Sequence, residues 1–436
     1  MALFLLLPTH KDFSKELHQM RLKTLLAIWA NALCITVCVV FGAGQMRIDN
    51  APASSFADGF KRGLIYGHAG LLFQQSIGAN PYSTYGDINL SLGYETRRFI
   101  GYKFGAEMWI IPKLYEANGG DFTRSQTYFE VPQIYADYYN EYEKFGGIIG
   151  RFKTDKDWIT NYTEGLSASY DRVRNLSISF TWALRNAFFT NYFSQNYQNF
   201  GDYQSGRIGS FSGGAFLFDA DFVIPQASIT LSPYLYMVPD FFVAPGLKTK
   251  LDLPINQKLF FRALIHLTSY VGVGKQASST SGGGGGIIWG EAQIDWGRFV
   301  LAGEEWQSFV SAGVGVINTP SRGAIYIDSF GQNTPFERAD GIFYYNSTTP
   351  YAFVSVNLWK YVSLYGAFRT SIISSNETVL NWEGRVDFRP IKNVLLGASA
   401  LGVTNSVNIR NNRVVPTRFG PSGDYTIFRG YVEYKF

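Results

Sequence analysis

The sequence predicts an all-β protein, a transmembrane antiparallel β-barrel of about eighteen strands with short periplasmic turns and long extracellular loops. Three observations predict it. The first is composition: Phe 36, Tyr 28 and Trp 9 make the chain 17% aromatic, Gly reaches 45, and charged residues are only 17%. An average soluble domain carries about 25% charge. Yet mean hydropathy is −0.04, far too polar for a bundle of membrane helices. The second is a series of segments of about ten residues in which apolar and polar positions alternate, the signature of strands with lipid on one side and water on the other. The third is the chain end, whose alternating aromatic and charged residues finish on Phe436.

The elements follow in order. Residues 1–19 precede a plausible start at Met20 and read as an upstream extension outside the folded protein. Residues 20–44 read as a secretory signal peptide: Arg21 and Lys23, an apolar run from Thr24 to Phe41, then Gly42-Ala43-Gly44. The competing reading of that run is a single membrane anchor, which its length alone supports. Both cysteines, Cys34 and Cys38, fall inside the leader, and the small residue that lipidation requires before a cysteine is replaced by Leu33 and Val37. The expected mature chain therefore has no disulfide, thiol nucleophile or cysteine metal site, and keeps two histidines, His68 and His266. Neither a metal nor another cofactor is expected. Removing the four basic and two acidic residues of 1–44 from totals of 38 and 34 leaves 34 against 32, too balanced for a nucleic-acid partner.

Residues 45–63 form a periplasmic segment before the barrel, which spans 64–436. The alternation places strands at 64–74, 86–96, 98–111, 131–141, 145–153, 163–171, 175–186, 211–222, 226–238, 242–253, 257–271, 286–296, 299–317, 350–360, 361–373, 378–389, 393–405 and 425–436. Connections after even strands are all short. Those after odd strands are mostly long, with 239–241 and 374–377 as exceptions. This asymmetry is that of outer-membrane barrels. The weak point is 299–317, which is long, contains Glu304-Glu305 and could divide into two strands. In the last strand Phe428, Val432, Tyr434 and Phe436 share the apolar face, which reads as the signal by which the barrel-assembly machinery recognises such chains.

The water-facing rows supply candidate pore-lining residues. The basic ones are Lys103, Arg151, Lys153, Arg185, Arg262, Arg369 and Arg385; the acidic ones are Glu107, Asp137, Glu291, Asp295, Glu383 and Asp387. Taken one at a time, charges on a watery face are solvated or paired across strands. Taken as rows lining a channel, they sort solutes by charge. A loop folded inward is expected to narrow the lumen, with 154–162 preferred over 187–210. His266 shares a face with Arg262 and Thr268 and reads as water-facing. The glycine run ending at Gly286 lacks the Lys-Ser or Lys-Thr that a phosphate loop needs, because Ile287-Ile288-Trp289 follows. Two histidines and no clustered nucleophile argue against an enzyme.

Short motifs recur in a fixed order. They are Phe56-Ala57-Asp58-Gly59-Phe60, Leu92-Gly93-Tyr94-Glu95-Thr96, the run from Val131 to Tyr138, Gly150-Arg151, and Thr163-Glu164-Gly165-Leu166-Ser167. Over this first third of the mature chain the sequence resembles the OprD-like outer-membrane porins, and among them the Hof set of outer-membrane proteins. It departs from many of them in having Phe152-Lys153 after the arginine. The resemblance implies an eighteen-stranded barrel that passes small polar, often carboxylate-bearing solutes. The residues themselves predict an open lumen, since barrels of sixteen to eighteen strands leave an aqueous channel. The expected setting is the bacterial outer membrane, with its lipids, the assembly machinery and small polar solutes as partners. The alternative function is adhesion through the long loops 318–349 and 406–424.

Overall fold

The computed structural model describes residues 52–78, 84–190, 192–199, 213–274, 284–297, 299–301, 304–306, 310–320, 324, 327–337, 342–343, 346–359, 361–373, 377–405 and 424–436. The expectations for 1–44 and for the loop 406–423 lie outside these residues. Eighteen strands form one closed barrel. In chain order they are β1 Leu64–Gly78, β2 Tyr85–Glu95, β3 Tyr102–Ile110, β4 Phe129–Asn140, β5 Phe145–Asp155 and β6 Thr160–Tyr170. Next come β7 Leu176–Thr190, β8 Ala215–Ile224, β9 Ile229–Val238, β10 Phe242–Asn256, β11 Leu259–Gly272 and β12 Gly285–Trp296. The last six are β13 Val310–Thr319, β14 Ser347–Leu358, β15 Val362–Ile373, β16 Glu377–Ile391, β17 Val394–Asn405 and β18 Tyr425–Lys435. Each pairs antiparallel with its sequence neighbours, and β1 meets β18 from His68↔Lys435 to Gly78↔Tyr425. Closure leaves no sheet edge, which a backbone in lipid requires. Among the described residues no helix is long and apolar enough to cross a membrane.

All eighteen expected strands are present, with one correction. Of 299–317 only Val310–Thr319 joins the barrel; Phe299–Leu301 and Glu304–Trp306 pair with each other in a separate ribbon. A wall strand running through Glu304-Glu305 would put one of two adjacent charges on the lipid face, which is costly. The connection 297–309 is thus the long exception at the short-turn end.

The two faces separate as the alternation requires. Leu90, Leu92, Met108, Ile110, Ile265 and Val386 are exposed on the outside. Asp87, Asn89, Ser91, Glu107 and Asp387 are buried on the inside. The closing strand puts Val432 opposite Leu71 and Tyr434 opposite Ala69 on the outward parity, with Phe428 exposed beside them. On the inner face, tyrosine rings lie flat over cross-strand glycines. Tyr66 covers Gly93 and Tyr234 covers Gly246, and a β-carbon at either glycine would fall within the ring.

Before β1, helix α1 (Phe56–Lys61) is capped by Ser55, whose hydroxyl accepts from the Asp58 amide at 3.1 Å. The Arg62 guanidinium holds the exposed Asp58 carboxyl at about 2, below its ordinary range.

Candidate functional site

The barrel wall alone does not make the site; chain turned into the lumen does. At Gly150, with φ 117°, the hairpin of β5 and β6 changes character. Below this point one face is exposed, as at Ile149. Above it Phe152, Tyr162 and Thr163 are all buried, while Lys153 and Asp155 stay exposed. A register shift opposite Glu164 and Gly165 lies alongside. Such bulges bend strands, and this one carries the hairpin into the lumen. A β-carbon at Gly150 would collide with the Ile134 carbonyl. Gly150→Ala is therefore expected to cost about 1–3 kcal/mol of backbone strain. The measurement is a denaturant titration followed by Trp158 accessibility; an unchanged midpoint would remove the glycine from the account.

The hairpin tip docks on the wall strands that follow it, β8 to β11. Trp158 is 1% exposed and its indole donates to Tyr234 Oη at 3.0 Å. Its ring lies 5.5 Å from that of His266 and 5.7 Å from that of Phe343. Lys156 pairs with Asp219 at 2.9 Å on β8, and Asp157 pairs with Lys248 on β10. His266 is therefore not water-facing: Trp158, Tyr234 and Trp289 enclose it, leaving it 1% exposed. Its parity is the expected one, and the inward hairpin is what removes its water.

Two further segments enter the lumen. After β7, residues Phe193–Asn199 pair back on that strand and reach the far wall. Tyr197 donates to the Pro132 carbonyl at 2.7 Å, and the Tyr192 carbonyl accepts from Tyr85 Oη at 3.0 Å. Between β13 and β14, residues 327–337 run inward. The Phe330 carbonyl accepts from the Thr160 amide at 3.0 Å, and Phe336 packs edge-on against Tyr351. The expected constriction at 154–162 is present, 187–210 contributes through 192–199, and 327–337, within the expected outer loop 318–349, supplies the third wall.

Three charged groups border the space between these segments. On β4–β7, Glu164 joins Arg151 at 2.8 Å and Arg185 at 2.5 Å; Arg151 also meets Glu130 at 3.2 Å and covers Tyr197. Lys153 stands exposed two residues on. Nearer the short turns, Lys103 pairs with Glu95 at 2.9 Å and Asp137 at 3.6 Å, while Arg98 takes Asp137 at 2.6 Å. Glu107 beside them accepts from Trp109 at 2.8 Å and from Gln133.

The third group lies on β16–β18. Arg429 is 3% exposed at its side chain, donates to Gln74 at 2.8 Å and grips Glu337 through two bonds of 2.7 and 2.9 Å. Its guanidinium lies 4.3 Å over Tyr192. The Glu337 amide donates to Glu383 at 3.0 Å, and Tyr431 donates to Asp387 at 2.5 Å. Arg385 meets Asp387 at 3.4 Å, lies over Tyr365 and keeps 52% of its side chain exposed. The Glu337 carboxylate, with burial, pushes the Tyr192 hydroxyl above its ordinary value, and Arg429 and Arg385 oppose it.

Elsewhere on the inner wall, Arg262 bridges Asp252 at 3.6 Å and Asp295 at 3.0 Å. Glu291 accepts from Tyr351 at 2.5 Å. Arg369 is fully buried beneath Phe336 and donates to Ser371 at 2.9 Å. The predicted pore-lining residues thus fall into separate clusters around the wall, and most meet an opposite charge. The residues missed were the partners: Glu130, Glu164, Glu337, Lys248 and Arg429. Arg429 stood on the inward parity of the last strand and could have been read; Glu337, on a loop without alternation, could not.

No family model matches the chain, and no curated protein matches it by sequence. Solved structures do match. OpdK of Pseudomonas aeruginosa, in a structure with vanillate, aligns with TM-score 0.68 at 9% identity over 86% of this chain and 99% of its own. OccK3 (OpdO) of the same organism gives 0.64 at 9% identity over 87% and 97%. Its outer membrane protein OprD gives 0.63 at 10% identity over 90% and 98%. At such identities the likeness is one of architecture, and it extends over nearly the whole of each neighbour: the chain has the fold of the OprD and Occ outer-membrane proteins.

Proposed function

We propose that the chain forms an outer-membrane channel through which small hydrophilic solutes, carboxylate-bearing ones among them, diffuse passively. The observation that carries this reading is a closed eighteen-stranded barrel whose lumen is narrowed by three inward segments and bordered by fixed charges. Arg385 is the cation placed to meet a passing anion, being half-exposed between Tyr365 and Asp387. Opposed charges across a narrow lumen orient solutes and select among them. Vanillate, the carboxylate held by OpdK, is the first solute to test here. The leader at 20–44 is removed on export in this reading, and Phe428, Val432, Tyr434 and Phe436 serve assembly.

Planar-bilayer recording on refolded residues 45–436 tests it. Discrete ohmic steps are expected, with a reversal potential in a salt gradient that gives the sign of the controlling charge. No steps from a chain shown to be inserted would overturn the channel and leave the outer loops as the functional surface.

A further inference from the structure

Residues 52–63 could have plugged the barrel mouth or hung free; they do neither. The Ala53 amide donates to the Arg98 carbonyl at 3.0 Å, and the Arg97 amide donates to the Gly59 carbonyl at 3.0 Å. Arg97 Nε reaches the Arg62 carbonyl at 3.1 Å. These bonds tie α1 to the turn between β2 and β3. Its two phenylalanines then meet outward-facing residues. Phe60 stacks on Tyr94 at 6.4 Å, and Phe56 packs edge-on against Phe104 at 6.1 Å. Tyr94 shares its face with Leu90 and Leu92, and Phe104 shares its face with Met108 and Ile110, all four exposed. The segment therefore lies on the outside of the barrel at its short-turn end.

There it presents apolar surface that no other described residue covers. Phe56 and Phe60 are four residues apart, 5.0 Å between rings, and remain 56% and 45% exposed. Six residues are too few for a helix to hold itself in water; this one is held by its cap and its bonds to the wall. The exposed Lys61 follows Phe60 directly, with Arg97 beside it. Other exposed aromatics stand at the same end of the barrel, Tyr102, Tyr142, Trp296 and Trp359. Aromatic rings in such belts sit at headgroup level. Two aromatics with a cation at their flank match an interfacial helix, which buries its apolar face at the boundary of headgroups and acyl chains.

We infer that residues 53–62 are an interfacial anchor lying on the phospholipids of the periplasmic leaflet, with Phe56 and Phe60 inserted and Lys61 on the phosphates. This rests on the membrane reading above, in which the short turns are periplasmic. The anchor fixes the height of the barrel in the bilayer and keeps the N-terminal segment clear of the pore mouth.

The test uses spin labels on the mature chain, which lacks cysteine after residue 44. F60C, A57C, M108C and Q257C are labelled singly and reconstituted in vesicles of phosphatidylethanolamine and phosphatidylglycerol. Collision rates with oxygen and with a water-soluble nickel chelate are then compared. Position 108 lies in the lipid belt and position 257 at the tip of a short turn, both exposed. The expected result is an oxygen-to-nickel ratio at 60 several-fold above that at 257 and below that at 108. A57C leaves both phenylalanines intact and is expected to show an intermediate ratio. Positions 60 and 57 as nickel-accessible as 257, with 108 in lipid, would overturn the anchor alone. Position 108 in water as well would overturn the membrane reading and the anchor with it.

Discussion

Arg429→Gln will raise single-channel conductance and shift the reversal potential toward cation selectivity. Arg429 is almost fully enclosed and bonds to Gln74 and, through two nitrogens, to Glu337 on the inward segment. Removing one partner of a buried pair costs about 3–5 kcal/mol, because the other charge is left uncompensated. The barrel wall does not depend on that pair, so the cost falls on the segment, which leaves the lumen. Glu337→Gln should shift selectivity the opposite way, since it leaves the cation. The double variant Arg429→Gln with Glu337→Gln should return selectivity toward the parent while keeping the larger conductance. Unchanged conductance in Arg429→Gln, with the barrel folded, would show that 327–337 is held by something else.

Trp158→Ala should release the hairpin tip without unfolding the barrel. Truncating a buried Trp costs about 3–5 kcal/mol. Here the lost contacts join the tip to Tyr234, His266 and Phe343 and not one wall strand to the next. The expected record is larger and noisier current with unaltered heat-resistant migration on a denaturing gel. Trp158→Phe keeps most of the ring and loses one hydrogen bond, worth about 0.5–1.5 kcal/mol, so its current should stay close to that of the parent. Equal behaviour of the two variants would refute a latch made by packing.

The wall was legible in the sequence because lipid and water impose opposite demands on successive residues. Period two therefore survives through much of the wall, as in Tyr85–Glu95, Tyr102–Ile110 and Leu259–Gly272. The inward parity of Glu107, Asp137, Arg369 and Arg385 followed from the same rule. What the rule could not give is anything that leaves the wall. In the hairpin above Gly150 the apolar Phe152 and the polar Thr163 are buried alike, so the contrast that makes a strand readable is lost there. His266 had the right parity and the wrong surroundings, because its water was displaced by Trp158, far away in sequence. Phe330, Phe336 and Glu337 sit in a segment without regular period, and their roles come from contacts with β6, β14 and β18. Pairing of charges is likewise a matter of neighbours across strands, which alternation along one strand does not contain.

Gly93 under Tyr66 gives the passage a property separate from its charge. The ring lies against the wall only because the opposite residue has no side chain; a single methyl at Gly93 would stand the ring up into the lumen. Bore and valence are therefore set by different residues, at Gly93 and at Arg385. A lineage could change the largest solute admitted by exchanging Gly93 for alanine without altering one ionisable group, and could change the favoured sign at Arg385 without altering the bore.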